Sequence, residues 1–307
     1  MKRNVNSIEI GMALALIAAV SMATIGVFSR FSELPAVTVA FYRLILGAAF
    51  MALWILLRKG SLHCASEDRV KLVFSGGFLA GFICCYIEAM NRTTMANAIL
   101  IVYLAPILAA ILSRIFFSEL IRKSQMVSMG IAFIGLLVMQ DMRTDSAINS
   151  FNSGIMFAPF SMIFYSLFIV NNRFFSGKTT AANRTFWQLT IGAAFILPIY
   201  LSTQLNLTAA VNNLGWLMLI GFLPGFIAIY SAVVSLQKLP TTVYGTITYA
   251  EPVSVIVFGW LLFSETLTLQ QLFGAVLIIG GGIGQAIIQA KNGRLIKKNS
   301  STINGQI

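Results

Sequence analysis

One acidic residue in the middle of an apolar segment is the group in this sequence best suited to chemistry. Glu251 lies about halfway along the apolar segment 241–263 and directly precedes Pro252. An ionisable group at that depth is costly to keep away from water, which makes it a candidate functional residue. It could take up and release protons. It could instead pair with the deep cation Arg43, or cap backbone groups freed by Pro252. The sequence leaves these alternatives open.

A second deep charge lies in the apolar segment 36–57. Arg43 is some eight residues into that segment, too far from either end for its side chain to reach water easily. It could hold the carboxylate of a ligand. We predict instead that Arg43 belongs to a structural ion pair.

Polar side chains accompany these two charges. The stretch 241–249 is too rich in threonine and tyrosine to face lipid, so we predict that it lines a wet cavity. On a helix, Tyr244 and Glu251 fall on one stripe and Tyr249 on another. Polar residues of other apolar segments are predicted to line the same cavity. The predicted substrate-binding residues are Tyr86, Asn97, Tyr103, Tyr165, Tyr244, Tyr249 and Glu251, with Glu251 also the predicted proton-coupling residue.

The elements that carry these residues are long apolar segments. The chain has 307 residues, of which 58% are hydrophobic and 10% charged, whereas a soluble chain carries about 25% charged residues. Stretches of about 20 apolar residues, enough to cross a bilayer, occur ten times. They lie near 8–29, 36–57, 70–90, 95–117, 124–140, 152–172, 185–202, 214–236, 241–263 and 269–289. The sequence therefore predicts an all-α membrane protein of ten transmembrane helices.

Basic residues are distributed unevenly between the two sides of these segments. With ten spans, 16 of the 21 Lys and Arg residues lie on the side of the N-terminus. Because Lys and Arg accumulate in cytoplasmic loops, we predict that both termini are cytoplasmic. The same distribution argues against nucleic acid as the partner of this basic chain.

The two halves of the chain repeat one another. A shift of 146 residues superposes Tyr103 on Tyr249, Pro106 on Pro252, and the run 117–119 (Phe-Ser-Glu) on 263–265. Since each half holds five spans, an odd number, the second half must be inverted relative to the first. Inverted repeats commonly build a binding site near the midplane between them. We predict a first repeat over 1–145, an inverted second repeat over 146–290 around a central cavity, and a basic cytoplasmic tail over 291–307.

Motifs of several enzyme classes are missing from the sequence. It contains no Walker A, HExxH or serine-triad pattern, and its single histidine, His63, lies in a predicted loop. The three cysteines, Cys64, Cys84 and Cys85, form neither a disulfide framework nor a metal-ligand pattern. We therefore predict no enzyme activity, no cofactor and no metal site.

The repeated residues resemble a known family. The residues that carry this resemblance are Ala89-Met90, Ala96, Pro106 and the run 117–119, with the second copy from 249 to 266 and Gly274. The sequence is similar to the EamA family of the drug/metabolite transporter superfamily. The resemblance covers roughly residues 8–290. It implies a ten-helix bundle around a central cavity that exchanges metabolites such as amino acids across a bacterial inner membrane. It does not identify the substrate.

These observations predict a secondary transporter that moves a small polar or zwitterionic metabolite by alternating access, with Glu251 as the candidate for proton coupling. A sugar-phosphate or nucleotide-type exchanger is the alternative within the superfamily, although Arg43 is the only deep basic residue apart from the peripheral Arg114. A membrane-embedded lipid-modifying enzyme is the alternative from another class. The expected partners are a small molecule and membrane lipid, with the choice between monomer and homodimer left open.

Overall fold

The structure is a computed structural model that describes residues 5–92, 101–119, 121–139, 156–202 and 207–304. Those ranges contain α-helices, 3-10 and π-helical turns, and no strand. The first five long helices are α1 (Val5–Ser32), α2 (Ala36–Leu57), α3 (Arg69–Arg92), α4 (Ala105–Phe117) and α5 (Lys123–Met139). The others are α6 (Phe157–Asn171), α7 (Ala181–Ser202), α8 (Leu214–Lys238), α9 (Thr241–Thr248), α10 (Ala250–Phe263) and α11 (Leu269–Asn304). Two short helices, Ser66–Asp68 and Leu207–Asn212, complete the helices of these ranges.

The prediction of an all-α protein with membrane-spanning helices is confirmed for the described residues. Seven helical stretches are long and apolar enough to cross a bilayer, with α9 and α10 counted together as Thr241–Phe263. Three shorter apolar helices, α4, α5 and α6, correspond to the predicted fourth, fifth and sixth spans. A helix satisfies its backbone hydrogen bonds internally, which is why apolar segments in lipid take this form.

Two helix breaks lie at matching places in the two halves. The helix over Thr241–Phe263 is interrupted at Tyr249, and α4 begins just after a turn at Tyr103. Pro252 and Pro106 follow these breaks by three residues. Proline has no N–H to donate to the carbonyl four residues earlier, so each one ends the preceding helical hydrogen-bond ladder. Both breaks put polar side chains in the middle of an apolar stretch.

The helices of one half pack mainly against helices of the other half. Helix α2 packs on α7 and α8, α3 packs on α6 and α7, and α1 packs on α8, α9 and α10. Helix α4 packs on α6 and α9, and α5 packs along α11. The α5–α11 contact needs glycine, since a Cβ on Gly135 would lie 2.7 Å from the Gly274 carbonyl oxygen. Most large interfaces therefore join a helix of one half to a helix of the other.

A buried carboxylate joins two loops at one end of the bundle. Asp68 is fully buried and accepts hydrogen bonds from Thr179 Oγ1 (2.7 Å), Ser176 Oγ (3.0 Å) and Ser176 N (3.1 Å). Lys71 Nζ lies 3.3 Å from the same carboxylate. The α2–α3 loop is thereby fixed to the α6–α7 loop.

Candidate functional site

Glu251 stands in the first turn of α10, directly after the break at Tyr249. The hydroxyl of Tyr103 is placed to donate a hydrogen bond to its carboxylate. Tyr86 from α3, Tyr165 from α6 and Tyr244 from α9 lie close enough to interact with it electrostatically. One carboxylate is thus surrounded by tyrosines from four parts of the chain.

Arg43 approaches this group from α2. Its side chain is buried, its Nε donates to the Pro224 carbonyl oxygen at 3.2 Å, and its Nη2 lies 2.8 Å from Met22 Sδ. The guanidinium interacts electrostatically with Glu251 and Tyr165, and no direct Arg43–Glu251 ion pair forms within the described part of the chain. A guanidinium has five N–H donors, so these two contacts leave others available.

The two helix breaks meet in the interior. The rings of Tyr103 and Tyr249 have centroids 5.9 Å apart, and the Tyr249 hydroxyl donates to the Tyr103 carbonyl oxygen at 2.8 Å. The side chain of Tyr249 is completely buried. This contact satisfies one of the carbonyls that the break leaves without a helical partner. Tyr249 thereby ties the two breaks together and supports the neighbouring Glu251.

Further aromatic contacts hold the surrounding tyrosines. The hydroxyls of Tyr165 and Tyr244 are placed to hydrogen-bond to each other. Phe82 stacks on Tyr165 with ring centroids 4.7 Å apart and on Tyr86 at 6.0 Å. These contacts fix the ring orientations around Glu251.

Four members of the group keep partly accessible surface deep inside the bundle. Tyr86, Tyr103, Tyr165 and Glu251 are only half-buried, although protein surrounds them. Tyr244, by contrast, is buried. Side chains enclosed by protein but not fully packed border an interior space. This arrangement could hold a small molecule that carries charge and hydrogen-bonding groups.

The structure thus brings six of the seven predicted site residues, and Arg43, into one region. Asn97 lies outside the described residues. The contacts of Arg43 with the Pro224 carbonyl and with Met22 could not be predicted, because a main-chain carbonyl and a thioether carry no recognisable sequence signal. The π-helical turn Gly221–Ile227 that contains Pro224 has no such signal either.

A separate cavity of about 270 Å³ lies on the other side of α3. Cys84, Cys85 and Glu88 line it, together with apolar residues of α2, α6 and α7. Tyr86 points away from these residues and toward Glu251, since successive helical residues are about 100° apart. Among the described residues, no group of three or more His, Cys, Asp or Glu side chains could hold a metal ion.

Comparisons with known proteins agree with this architecture. The model of the EamA-like transporter family matches residues 9–140 and again 152–284. An uncharacterized transporter of Archaeoglobus fulgidus is 28% identical over 274 residues, which cover 88% of this chain and 94% of the relative. The uncharacterized transporter YxxF of Bacillus subtilis is 22% identical over 271 residues, covering 87% and 86% of the two chains. A crystal structure with a TM-score of 0.78 and 18% identity covers 93% of this chain and 99% of the other, which shows a shared fold.

Proposed function

Because the chain belongs to the EamA-like transporter family, we propose that it is a secondary transporter that moves a small polar or zwitterionic metabolite by alternating access. The observation that carries this proposal is the interior group of Glu251, Arg43 and the tyrosines around them. A membrane transporter binds a small molecule and contacts lipid. The names of the family and of the relatives point to a transporter and not to an enzyme.

The proposed architecture is ten spanning helices in two inverted repeats. In this scheme α1 to α5 correspond in order to α6, α7, α8, the α9–α10 pair and α11. The two separate matches of the family model support it. The helix packing supports it as well. If each helix is exchanged with its counterpart, the α3–α6 contact becomes α8–α1 and the α3–α7 contact becomes α8–α2, and both of these contacts are observed. The α2–α7, α4–α9 and α5–α11 contacts are unchanged by the exchange.

The chemistry of the site favours a zwitterionic substrate. Arg43 has N–H donors left for a carboxylate, and Glu251 can accept hydrogen bonds from an ammonium group. The two charges interact without a direct ion pair, so a ligand with both charges could enter between them. Tyrosine rings can add cation–π attraction to the ammonium group. A phosphate dianion would require more deep basic groups than this single arginine.

Glu251 is the proposed proton-coupling residue. Arg43 is proposed to stabilise the site as the cation beside it and to offer its remaining N–H donors to the substrate carboxylate. In this mechanism, protonation of the Glu251 carboxyl weakens its hydrogen bond to the substrate's ammonium group, and deprotonation strengthens that bond again. Tyr103 stabilises the charged carboxylate by its hydrogen bond. Binding and proton release are thereby coupled at one group.

The proposed location is the inner membrane of a bacterial cell, with both termini in the cytoplasm. Arg58, Lys59, Arg69 and Lys71 belong to or adjoin the α2–α3 loop, which Asp68 fixes to the α6–α7 loop. That loop carries Arg173 and Lys178. Basic residues therefore gather at one end of the bundle, as expected for the cytoplasmic side.

Ligand-dependent stabilisation of the purified protein tests this proposal. A ligand that binds only the folded state raises the melting temperature increasingly with the logarithm of its concentration. We expect zwitterionic amino acids to stabilise the protein more than their amides or their decarboxylated amines, because only the zwitterion uses both charges. Tyr103→Phe, which removes the hydroxyl that donates to Glu251, should weaken the effect. Tyr42→Phe, which removes a hydroxyl that contacts Tyr200, should not. Equal stabilisation by all three compound classes would contradict the zwitterion proposal.

A further inference from the structure

The two Phe-Ser-Glu runs end helices in the same unusual way. Helix α4 ends at Phe117 and α10 ends at Phe263, and the next residues, Ser118 and Ser264, have φ angles of 50° and 55°. This left-handed conformation is uncommon for a residue other than glycine. It turns the chain sharply, so that the following glutamate lies at the end of the helix. The sequence repeat is thus a repeated helix terminus.

At the first terminus, an arginine from the other half binds the run. Arg173, just after α6, pairs with Glu119 at 2.5 Å, and its guanidinium lies 5.4 Å from the centroid of the Phe117 ring. It also donates to Thr241 Oγ1 at 2.9 Å, while Thr241 N donates to Glu119 at 3.1 Å. The Arg173 and Glu119 side chains are only 16% and 13% exposed. We call this group the inner clamp.

At the second terminus, the same contacts recur with the halves exchanged. Arg30, near the end of α1, pairs with Glu265 at 2.5 Å and lies 4.8 Å from the centroid of the Phe263 ring. Here the Arg30 and Glu265 side chains are 58% and 49% exposed. We call this group the outer clamp. In each clamp, the arginine lies at the end of the first helix of one half, and the Phe and Glu come from the fourth span of the other.

The clamps lie at opposite ends of the helix pair that carries the site. Thr241, in the inner clamp, is the first residue of α9, and Phe263, in the outer clamp, is the last residue of α10. At 1.5 Å per residue, they are about 33 Å apart. The break at Tyr249 and the carboxylate of Glu251 lie between them. A tilt of this helix pair would therefore loosen one end while tightening the other.

We propose that the two clamps are alternating latches, each of which holds one mouth of the pathway closed. This inference rests on the proposed function, since a latch is meaningful only where access alternates. The inner clamp is less exposed than the outer clamp and has extra hydrogen bonds to Thr241, so it is the tighter one in this structure. The outer clamp is exposed, where an ion pair stabilises little. In this interpretation, the inner clamp holds the inner mouth of the pathway closed in this structure, and the outer clamp is the weaker of the two.

Hydrogen–deuterium exchange of the substrate-free protein tests the latches. In Glu119→Gln, we expect amides of residues 111–119 to exchange severalfold faster and amides of 257–265 to exchange more slowly than in the parent. In Glu265→Gln, the changes should be reversed and smaller. Lys178→Gln is the matched control, because its ion pair with Glu67 lies at the inner end but joins two loops. It should change neither peptide.

The charge-swapped protein Arg30→Glu with Glu265→Arg separates a latch from a local effect. Both side chains are exposed, so the variant should fold, and a restored ion pair should return both peptides to the parent rates. If each single variant speeds exchange only at its own end, the two clamps stabilise their helix ends independently of each other and the proposal is wrong. Because no substrate is used, this result is independent of whether the proposed substrate class is right.

Discussion

Glu251→Gln is expected to abolish uphill transport while leaving the fold intact and substrate binding weakened but not abolished. Glutamine has the size and hydrogen-bonding capacity of the carboxyl group but cannot release a proton. Uptake driven by a pH gradient in proteoliposomes should fall to background, and counterflow, which needs no net proton movement, should continue.

Glu88→Gln is the matched control for this prediction. Glu88 is also a partly buried carboxylate within an apolar helix, but it lines the separate cavity beyond α3. Its variant should keep pH-driven uptake. Normal uphill transport by a well-folded Glu251→Gln protein would remove Glu251 from the coupling mechanism, and Glu88 would then be the next candidate.

Arg43→Gln is expected to destabilise the protein much more than Glu251→Gln. Loss of the guanidinium leaves the Pro224 carbonyl without its donor and Glu251 without a nearby cation, at a combined cost of about 3 kcal/mol. In Glu251→Gln, the guanidinium keeps both its contact with Pro224 and its contact with Met22. That change should cost only about 1 kcal/mol.

A double-mutant cycle in detergent measures this difference. The Arg43→Gln, Glu251→Gln protein should be more stable than the sum of the single effects predicts, by roughly 0.5 to 3 kcal/mol, because the stranded carboxylate is gone. If Glu251→Gln alone costs about 3 to 5 kcal/mol, the carboxylate is instead an indispensable partner of Arg43, and its role is structural.

The site could be predicted largely because polar groups are conspicuous in apolar segments. Glu251, Arg43 and the tyrosines each stand out against their neighbours, and the sequence repeat by itself makes Tyr103 the counterpart of Tyr249. The segments 241–263 and 95–117 are each predicted as a single helix. The structure interrupts the first at Tyr249 and has a turn at Tyr103 in the second, since Pro252 and Pro106 cannot supply the missing hydrogen bonds.

The partners of the repeated glutamates could not be predicted in this way. The sequence shows that Glu119 and Glu265 recur, but Arg173 and Arg30 are distant in the chain and do not superpose under the shift of 146 residues. Which arginine meets which glutamate depends on how the helices of one half pack on those of the other. The sequence also does not predict where α11 ends. The helix continues to Asn304, through most of the segment 291–307 that is predicted to be a cytoplasmic tail.

Counterflow in proteoliposomes tests the central claim most directly. Vesicles that contain the purified protein and are loaded with an unlabelled zwitterionic amino acid should accumulate the labelled compound transiently, and vesicles with Arg43→Gln should not. A ligand-induced rise in melting temperature, measured on the same preparation, shows that the parent protein is folded. Accumulation by the parent protein that is blocked by excess zwitterion, but not by the corresponding amide, is the predicted result. No accumulation of any zwitterion that stabilises the folded protein would contradict the account.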